Sequence, residues 1–405
     1  MKICVIGGGP AGLMGAYFAK DEATEVVLLE KNEKVGKKLY ITGKGRCNVT
    51  NTKCVGEEFL KNVVVNPKFL YSAINSFDYY DTNEFFQRND CPLKVERGDR
   101  VFPVSDKSSD ITKALRTACE KKGVKIVLNS AVKYIEKKDC FIIHAENGDM
   151  ACDKVIIATG GKSYPTTGST GDGYKFAKML GHKIIEPKPS LVPIRLKSEL
   201  IKSLDGLSLK NVNLLYLDGK KVISSFFGEA MFTDCELTGP IALSMSAIIA
   251  HNDKGKLFLD FKPALSDEQL GRRIASEIQE NLNKDIKTVL KNLLPARFVE
   301  VFLNQCKIPE TIKANSITKE QRQILVSNLK RFELDFDTFA SFERAVVTTG
   351  GVDTREINAK TMESKLVEGL FFAGEVIDVD AFTGGYNIQI ALSTGFVAGN
   401  SARMV

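Results

Sequence analysis

The clearest chemical capacity in this sequence lies at its start. Gly7-x-Gly9-x-x-Gly12 sets three glycines between a β-branched run and a run of helical spacing. In that order the first glycine allows a tight turn, the second lets backbone approach a pyrophosphate, and the third lets the helix pack closely on its strand. Pro10 and Ala11 open the helix, where a proline gives up no hydrogen bond and the free N–H groups face an anion. Glu30 ends the next apolar run, eighteen residues after Gly12. A carboxylate placed there accepts both ribose hydroxyls of an adenosine and disfavours a 2′-phosphate. The chemistry is dinucleotide binding, and NADP does not suit this site.

Other patches have the composition to surround such a ligand. Residues 42–51 gather Thr42, Gly43, Gly45, Arg46, Cys47, Asn48, Thr50 and Asn51, many donors on a pliable backbone. Arg46 is expected to pair with a phosphate through both arms of its fork. Cys47 is followed by Cys54, but Cys-x6-Cys lacks the tight spacing of a redox dithiol, so the reading is an inert thiol. Lys31 and Lys38 are further candidates for binding the cofactor. Val132 opens a strand, at a place where resemblance to two-dinucleotide-binding flavoproteins implies backbone contact with the adenine and where a plain strand residue is the alternative. Lys162, Ser163 and Tyr164 follow the Thr159-Gly160-Gly161 turn and are candidates to face the site, whereas His182 reads as a core or capping residue. Near the C-terminus, Gly384-Gly385-Tyr386-Asn387-Ile388 opens a helix. Its glycines admit a planar ring, and its first-turn N–H groups have no helical partners.

The elements that must position these residues follow from periodicity. Residues 2–6, 10–20 and 25–30 read as strand, helix and strand. A helix over 110–122, with Ser108 and Ser109 as caps, leads to a strand over 124–128. Strands over 132–135, 141–145 and 150–157 read as an antiparallel meander, turned at Asn147-Gly148. A short helix over 174–180 takes Asp172 as its cap. Prolines 187, 189 and 193 mark a change of character. Short alternating strands follow, among them 212–217 and 222–227, and then charge-laced helices over 267–282, 286–293, 296–304 and 319–329. Buried strands return at 345–347 and 370–373. The expected organisation is one nucleotide-binding domain, 1–188 and 343–405, interrupted by an insertion over 189–342 that is β-rich over 189–262 and helical over 263–330.

Composition narrows the function. The chain has 405 residues with 43% hydrophobic and 26% charged content, an ordinary globular mixture. A net charge of +6, spread over short basic runs, gives no expectation of nucleic acid. The longest apolar stretches fall short of the ~20 residues of a membrane span, and no signal-peptide core precedes the glycine loop, so a cytoplasmic protein is expected. The nine cysteines are irregularly spaced and only three histidines occur, which indicates neither a disulfide framework nor a metal site.

Two further strands resemble the signatures of two-dinucleotide-binding flavoproteins. Val155–Gly161 is an apolar strand ending in Ala-Thr-Gly-Gly, and Gly369–Glu375 ends in Gly374-Glu375, with Asp378 close behind. In those proteins the second strand ends in an aspartate that binds the ribityl chain; Glu375 is one methylene longer. Behind the N-terminal fingerprint, they point to FAD. The whole chain resembles the BaiN/YhiN-type FAD-dependent oxidoreductases, also called aminoacetone oxidase-type enzymes. The matching blocks run from Gly36 to Asn51, Arg100 to Val104, Gly160 to Gly173, Leu191 to Ile194, Thr238 to Pro240, Thr349 to Val352 and Gly374 to Gln389. Where many relatives carry Phe-Thr-His, this chain has Phe232-Thr233-Asp234, so no role resting on that histidine carries over.

The resemblance implies a Rossmann-like α/β fold of the glutathione-reductase type: a three-layer FAD-binding domain with an inserted β-barrel-like unit and a helical cap closing over a small-molecule substrate. The activity it implies is hydride transfer at flavin N5. That leaves an NAD(P)H-dependent reductase of a conjugated carbonyl, an amine oxidase using oxygen, or a flavin-bearing RNA-associated protein. No second Gly-x-Gly-x-x-Gly follows a strand after residue 31, so NAD(P)H would enter only transiently.

Overall fold

The first strand, Lys2–Ile6 (β1), buries Ile3, Cys4, Val5 and Ile6, and so needs a partner layer on each face. In the computed structural model, which describes residues 1–197, 199–252 and 254–404, β1 is the middle of a five-stranded parallel sheet. Glu25–Leu29 (β2) flanks it on one side and Lys154–Ile157 on the other, with Lys125–Val127 and Leu370–Phe372 at the edges. Parallel neighbours require crossovers, and Pro10–Ala19 (α1) is the first of them. The chain divides into two compact units, Met1–Pro189 with Phe342–Val405, and Ser190–Ser341.

In the first unit the C-terminal helix, Tyr386–Arg403, lies along α1 at backbone contact. A methyl group on Gly395 would overlap the Ala11 carbonyl oxygen, and one on Gly399 the Gly15 carbonyl oxygen. Gly395→Ala is therefore expected to cost about 1–3 kcal/mol, the usual penalty of overpacking. Thermal denaturation checks this, and an unchanged melting temperature would mean that the helices part without strain. The third layer is the antiparallel meander Val132–Lys137, Phe141–Ala145 and Gly148–Cys152.

Three local expectations need correcting. The single strand expected over 150–157 is two strands, broken at Asp153. Its N–H bonds to the Lys2 carbonyl and its carboxylate accepts the Lys2 N–H at 2.6 Å, which steers the chain out of the meander and into the parallel sheet. Ser108 and Ser109 do not cap the following helix; it runs Ser108–Lys121 with no side-chain cap, and the Ser108 hydroxyl donates to the Tyr40 carbonyl. Asp172 is the first residue of its helix rather than the cap, a place taken by Gly171 at φ 81°.

The second unit is built on a seven-stranded sheet whose centre is the long hairpin Ser208–Asp218 and Lys221–Thr233. Its end strands, Phe332–Leu334 and Phe336–Phe339, are linked through Asp335 alone, so the sheet curls until its two edges meet, as a barrel-like unit requires, although no ladder joins those two strands among the described residues. Pro240–Ile249 is a helix inside the stretch read as β-rich. Helices Asp267–Glu280 and Lys319–Lys330 begin with capping boxes at Ser266 and Thr318, which satisfy first-turn donors reciprocally. With Ala296–Cys306 they enclose a core around Phe298, Phe302 and Phe332.

Candidate functional site

Ligands of open parallel α/β sheets collect beyond the carboxyl ends of the strands, and that edge is where the candidate residues converge. Gly7, at φ 106°, turns the chain out of β1. A side chain on Gly12 would overlap the Gly7 carbonyl oxygen, so only glycine lets α1 begin this close to its strand. Beside Gly9 the space is open: a Cβ built there has nothing within 4 Å. The first turn of α1, Pro10-Ala11-Gly12, has no side-chain cap, so its free N–H groups remain available to an anion.

Glu30 follows β2 and is buried. Its carboxylate accepts the Gly8 N–H at 2.7 Å and the Asn32 N–H and side-chain amide at 2.8 and 2.7 Å. One carboxylate thus joins the glycine loop to the end of β2. The N–H of Ser130 bonds to the Glu30 carbonyl, which brings Val132, two residues on, to the same end of the sheet.

Gly160 and Gly161 continue from the Lys154–Ile157 strand, and Gly161 packs on Thr348 and Glu375. Gly374 packs on Ala11, and its N–H donates to Thr394 on the C-terminal helix at 2.9 Å. Glu375 accepts from the Thr348 N–H at 2.7 Å, the Ser163 hydroxyl at 2.9 Å and the Lys38 ammonium at 2.9 Å. Lys31 is held by Asp172 at 2.7 Å and Thr170 at 2.6 Å. Three buried polar atoms nearby have no protein partner: Thr159 Oγ1, Tyr174 OH and Asp378 Oδ1. Burial pushes the Asp378 carboxyl above its usual range. Burial, reinforced by Glu375 and Asp378, pushes the Tyr174 hydroxyl well above its own.

The glycine turn before the C-terminal helix is clasped from two sides. Asn51 donates to the Gly384 carbonyl at 3.0 Å. Asn387 accepts the Ala381 N–H at 3.0 Å and donates to the Ala381 carbonyl at 2.7 Å. These bonds fix the direction of the N–H groups of Tyr386, Asn387 and Ile388. Ser163 was a candidate from its place after the Gly160-Gly161 turn, whereas Thr348 and Asn32 were not singled out; Thr348 immediately precedes the Thr349-Gly-Gly-Val352 block, which was its only signal.

The loop after Thr42 departs from expectation. Both arms of the Arg46 guanidinium are occupied by Glu96 and Asp106, and its face lies over the Phe102 ring. The bidentate phosphate contact expected of Arg46 is thereby corrected, because the fork is already filled by carboxylates. Cys47 sits at φ 59°, fully buried, and burial pushes its thiol up to about 12. Cys54 is likewise raised to about 12 by burial. Neither is a poised thiolate. Thr42 turns its hydroxyl to the Leu39 carbonyl, Gly43 and Gly45 hold left-handed turns, and Asn48 accepts the Val101 N–H, so these residues shape the loop. Turnover of Cys47→Ser and Cys54→Ser is expected to stay within about tenfold of wild type; a loss with cofactor content intact would show that a thiol takes part.

Residues 1–401 match the family model described as the HI0933-like protein Rossmann domain. The chain belongs to the HI0933-like family. A Haemophilus influenzae protein named ribosomal RNA dihydrouridine synthase is 31% identical, covering 97% of this chain and 96% of its own. The Clostridium scindens 3-dehydro-bile acid delta(4,6)-reductase is 29% identical, with 99% and 98% covered. Among solved structures, the 3-ketosteroid-delta4-(5alpha)-dehydrogenase of Rhodococcus jostii RHA1 aligns with TM-score 0.52 at 12% identity, over 100% of this chain and 96% of that one, which shows the shared fold.

This HI0933-like chain is thus an FAD-dependent oxidoreductase, as the flavoprotein signatures imply. Its residues fit the cofactor: the open face at Gly9, the uncapped first turn of α1, the Glu30 carboxylate and the unpartnered buried polar atoms lie at one edge of the sheet. Among the described residues no group of histidines, cysteines and carboxylates has the arrangement of a metal site, and no helix is long and apolar enough to cross a membrane.

Proposed function

We propose that this protein reduces a carbon–carbon double bond conjugated to a carbonyl, with NAD(P)H as the transient two-electron donor. The observation that carries the reading is chemical. A dihydrouridine synthase and a bile acid delta(4,6)-reductase have unlike substrates, yet both names describe adding two hydrogens across a double bond conjugated to a carbonyl. The overall change balances as one hydride from NAD(P)H and one proton from the medium, giving NAD(P)⁺ and the saturated bond. FAD, when bound, supplies the hydride-carrying centre.

The chain's own part is binding and orientation. Gly9 and the first turn of α1 would take the pyrophosphate, and Glu30 the adenosine ribose, with Val132 beside the adenine. Thr159 and Asp378 offer buried polar atoms to the polar chain between ribose and ring. Tyr386, Asn387 and Ile388 present N–H donors that Asn387 and Asn51 hold in place, a fixed set of dipoles suited to negative charge. Cys47, buried and protonated, takes no part.

A second reading places the same double bond in a uracil of RNA, and the near full-length match to a protein named for that reaction favours it. Anaerobic reduction of the holoenzyme by NADH and NADPH in parallel tests the donor. Reoxidation by a cyclic enone, by a uracil-containing rRNA fragment and by oxygen then tests the acceptor. Rapid reoxidation by the enone or the uracil, with slow reoxidation by oxygen, is expected. Fast turnover with oxygen and an amine, and none with either alkene, would overturn the proposal.

A further inference from the structure

The two lysines in the candidate cofactor set are not free cations. Lys31 is spent on Asp172, and Lys38 lies 2.9 Å from Glu375 with both side chains 22% exposed. Around Glu375 the hydrogen bonds close into a ring of defined polarity. The Lys38 ammonium donates to the Ser163 hydroxyl, that hydroxyl donates to Glu375 Oε1, and Lys38 donates again to Glu375 Oε2. Thr348 adds a backbone N–H to Oε1, and its own hydroxyl accepts the N–H groups of Lys162 and Ser163 at 2.8 and 3.1 Å. The ring joins residues more than three hundred positions apart, between the loop after β2 and the end of the Leu370–Phe372 strand.

The charges favour this arrangement. A carboxylate at the carboxyl edge of the sheet, where a diphosphate would bind, repels it unless the charge is offset by donors or a cation, and partial burial strengthens the repulsion. Glu30 has three N–H donors, whereas Glu375 has one N–H and one hydroxyl and is completed by Lys38. Glu375 is longer than the aspartate of the flavoprotein signature, and the extra methylene carries the carboxylate to Lys38. We infer that Lys38 is the counter-charge of Glu375 and not a phosphate clamp, so that the Lys38–Ser163–Glu375 ring is a neutral positioning device that lets a carboxylate stand beside the cofactor. This concerns cofactor binding alone and holds whichever substrate is reduced.

A double-mutant cycle on FAD affinity tests it, with FAD titrated into apoprotein and followed by flavin fluorescence at two salt concentrations. Lys38→Met leaves Glu375 uncompensated and is expected to weaken FAD binding about 30-fold, within the range for directly coupled residues. Glu375→Gln alone, which removes the repelling charge, is expected to bind FAD at least as tightly as wild type. The double variant K38M/E375Q, neutral like the native pair, is expected to return to within about fivefold of wild type with an unchanged salt dependence. A double variant as weak as K38M would mean that Lys38 itself holds the anion, and a K38M protein with native affinity would mean that the pair does not act on the cofactor; either overturns the inference. Apoprotein melting is recorded for all four proteins. If K38M alone fails to fold, recovery of folding and FAD binding in the double variant is the expected rescue, and a double variant that also fails overturns the proposal.

Discussion

Glu30→Ala is expected to raise the dissociation constant of FAD about 10- to 100-fold, roughly 1.4–2.8 kcal/mol, as befits hydrogen bonds to a charged group. The same change should lower the melting temperature of the apoprotein. Both effects come from one carboxylate with two duties. Its oxygens hold the Gly8 N–H and the Asn32 N–H and side-chain amide, and on the proposed reading the acceptor site left on Oε2 serves the adenosine ribose. Alanine removes the ribose acceptor and also leaves buried backbone donors without partners, which costs more than the lost contact itself. Glu30→Gln keeps one acceptor oxygen and should fall between alanine and wild type on both measures. Flavin fluorescence on dilution gives the affinity, and thermal denaturation of the apoprotein gives the stability. If stability falls while FAD affinity is unchanged, Glu30 serves the loop alone and the ribose is bound elsewhere.

Much of this site was legible because its geometry is local. The Gly7–Gly12 turn, Glu30 and the strands that flank them lie within thirty residues, so spacing alone orders them. Glycine at 12 is demanded by the Gly7 carbonyl five residues back, a contact that periodicity can anticipate. What was not legible depends on partners far along the chain. Nothing around Arg46 announces that Glu96 and Asp106 fill its fork, because the pairing is set by where two later segments return. The break at Asp153 is decided by Lys2 at the other end of the domain. The helix Pro240–Ile249 was hidden for a different reason. It is apolar nearly all round, with Ile241, Ala242, Met245, Ala247 and Ile249 buried, and such a run carries no 3.6-residue alternation to separate it from a buried strand.

Gly385→Val is expected to be the most damaging single change at the flavin end of the site. Gly385 sits at φ 101°, immediately before the C-terminal helix. A β-branched residue pays about 1–2 kcal/mol in the left-handed region. The sequence suggested that a flat ring requires the glycine; the structure adds a protein neighbour, since a Cβ here would overlap the Thr50 carbonyl oxygen. Overpacking against backbone adds about 1–3 kcal/mol. Thr50 cannot easily yield, because its hydroxyl donates to the buried Gln389 side chain, whose amide is bonded in turn to the Phe77 carbonyl at 3.1 Å. The strain must therefore displace the helix N-terminus and turn the N–H groups of Tyr386, Asn387 and Ile388 away from their native direction. A partly buried helix N-terminus is worth up to ~2 kcal/mol to a neighbouring negative charge, which over two electrons is about 40 mV. The variant is expected to bind FAD more weakly and, once loaded, to show a midpoint potential lower by up to that amount. Gly385→Ala, with a smaller overlap, should shift in the same direction by less. Spectroelectrochemical titration against a dye of known potential measures the shift. A Gly385→Val protein that loses stability but keeps the wild-type potential would show that the glycine serves the Thr50 contact only and that the helix N-terminus does not act on the flavin.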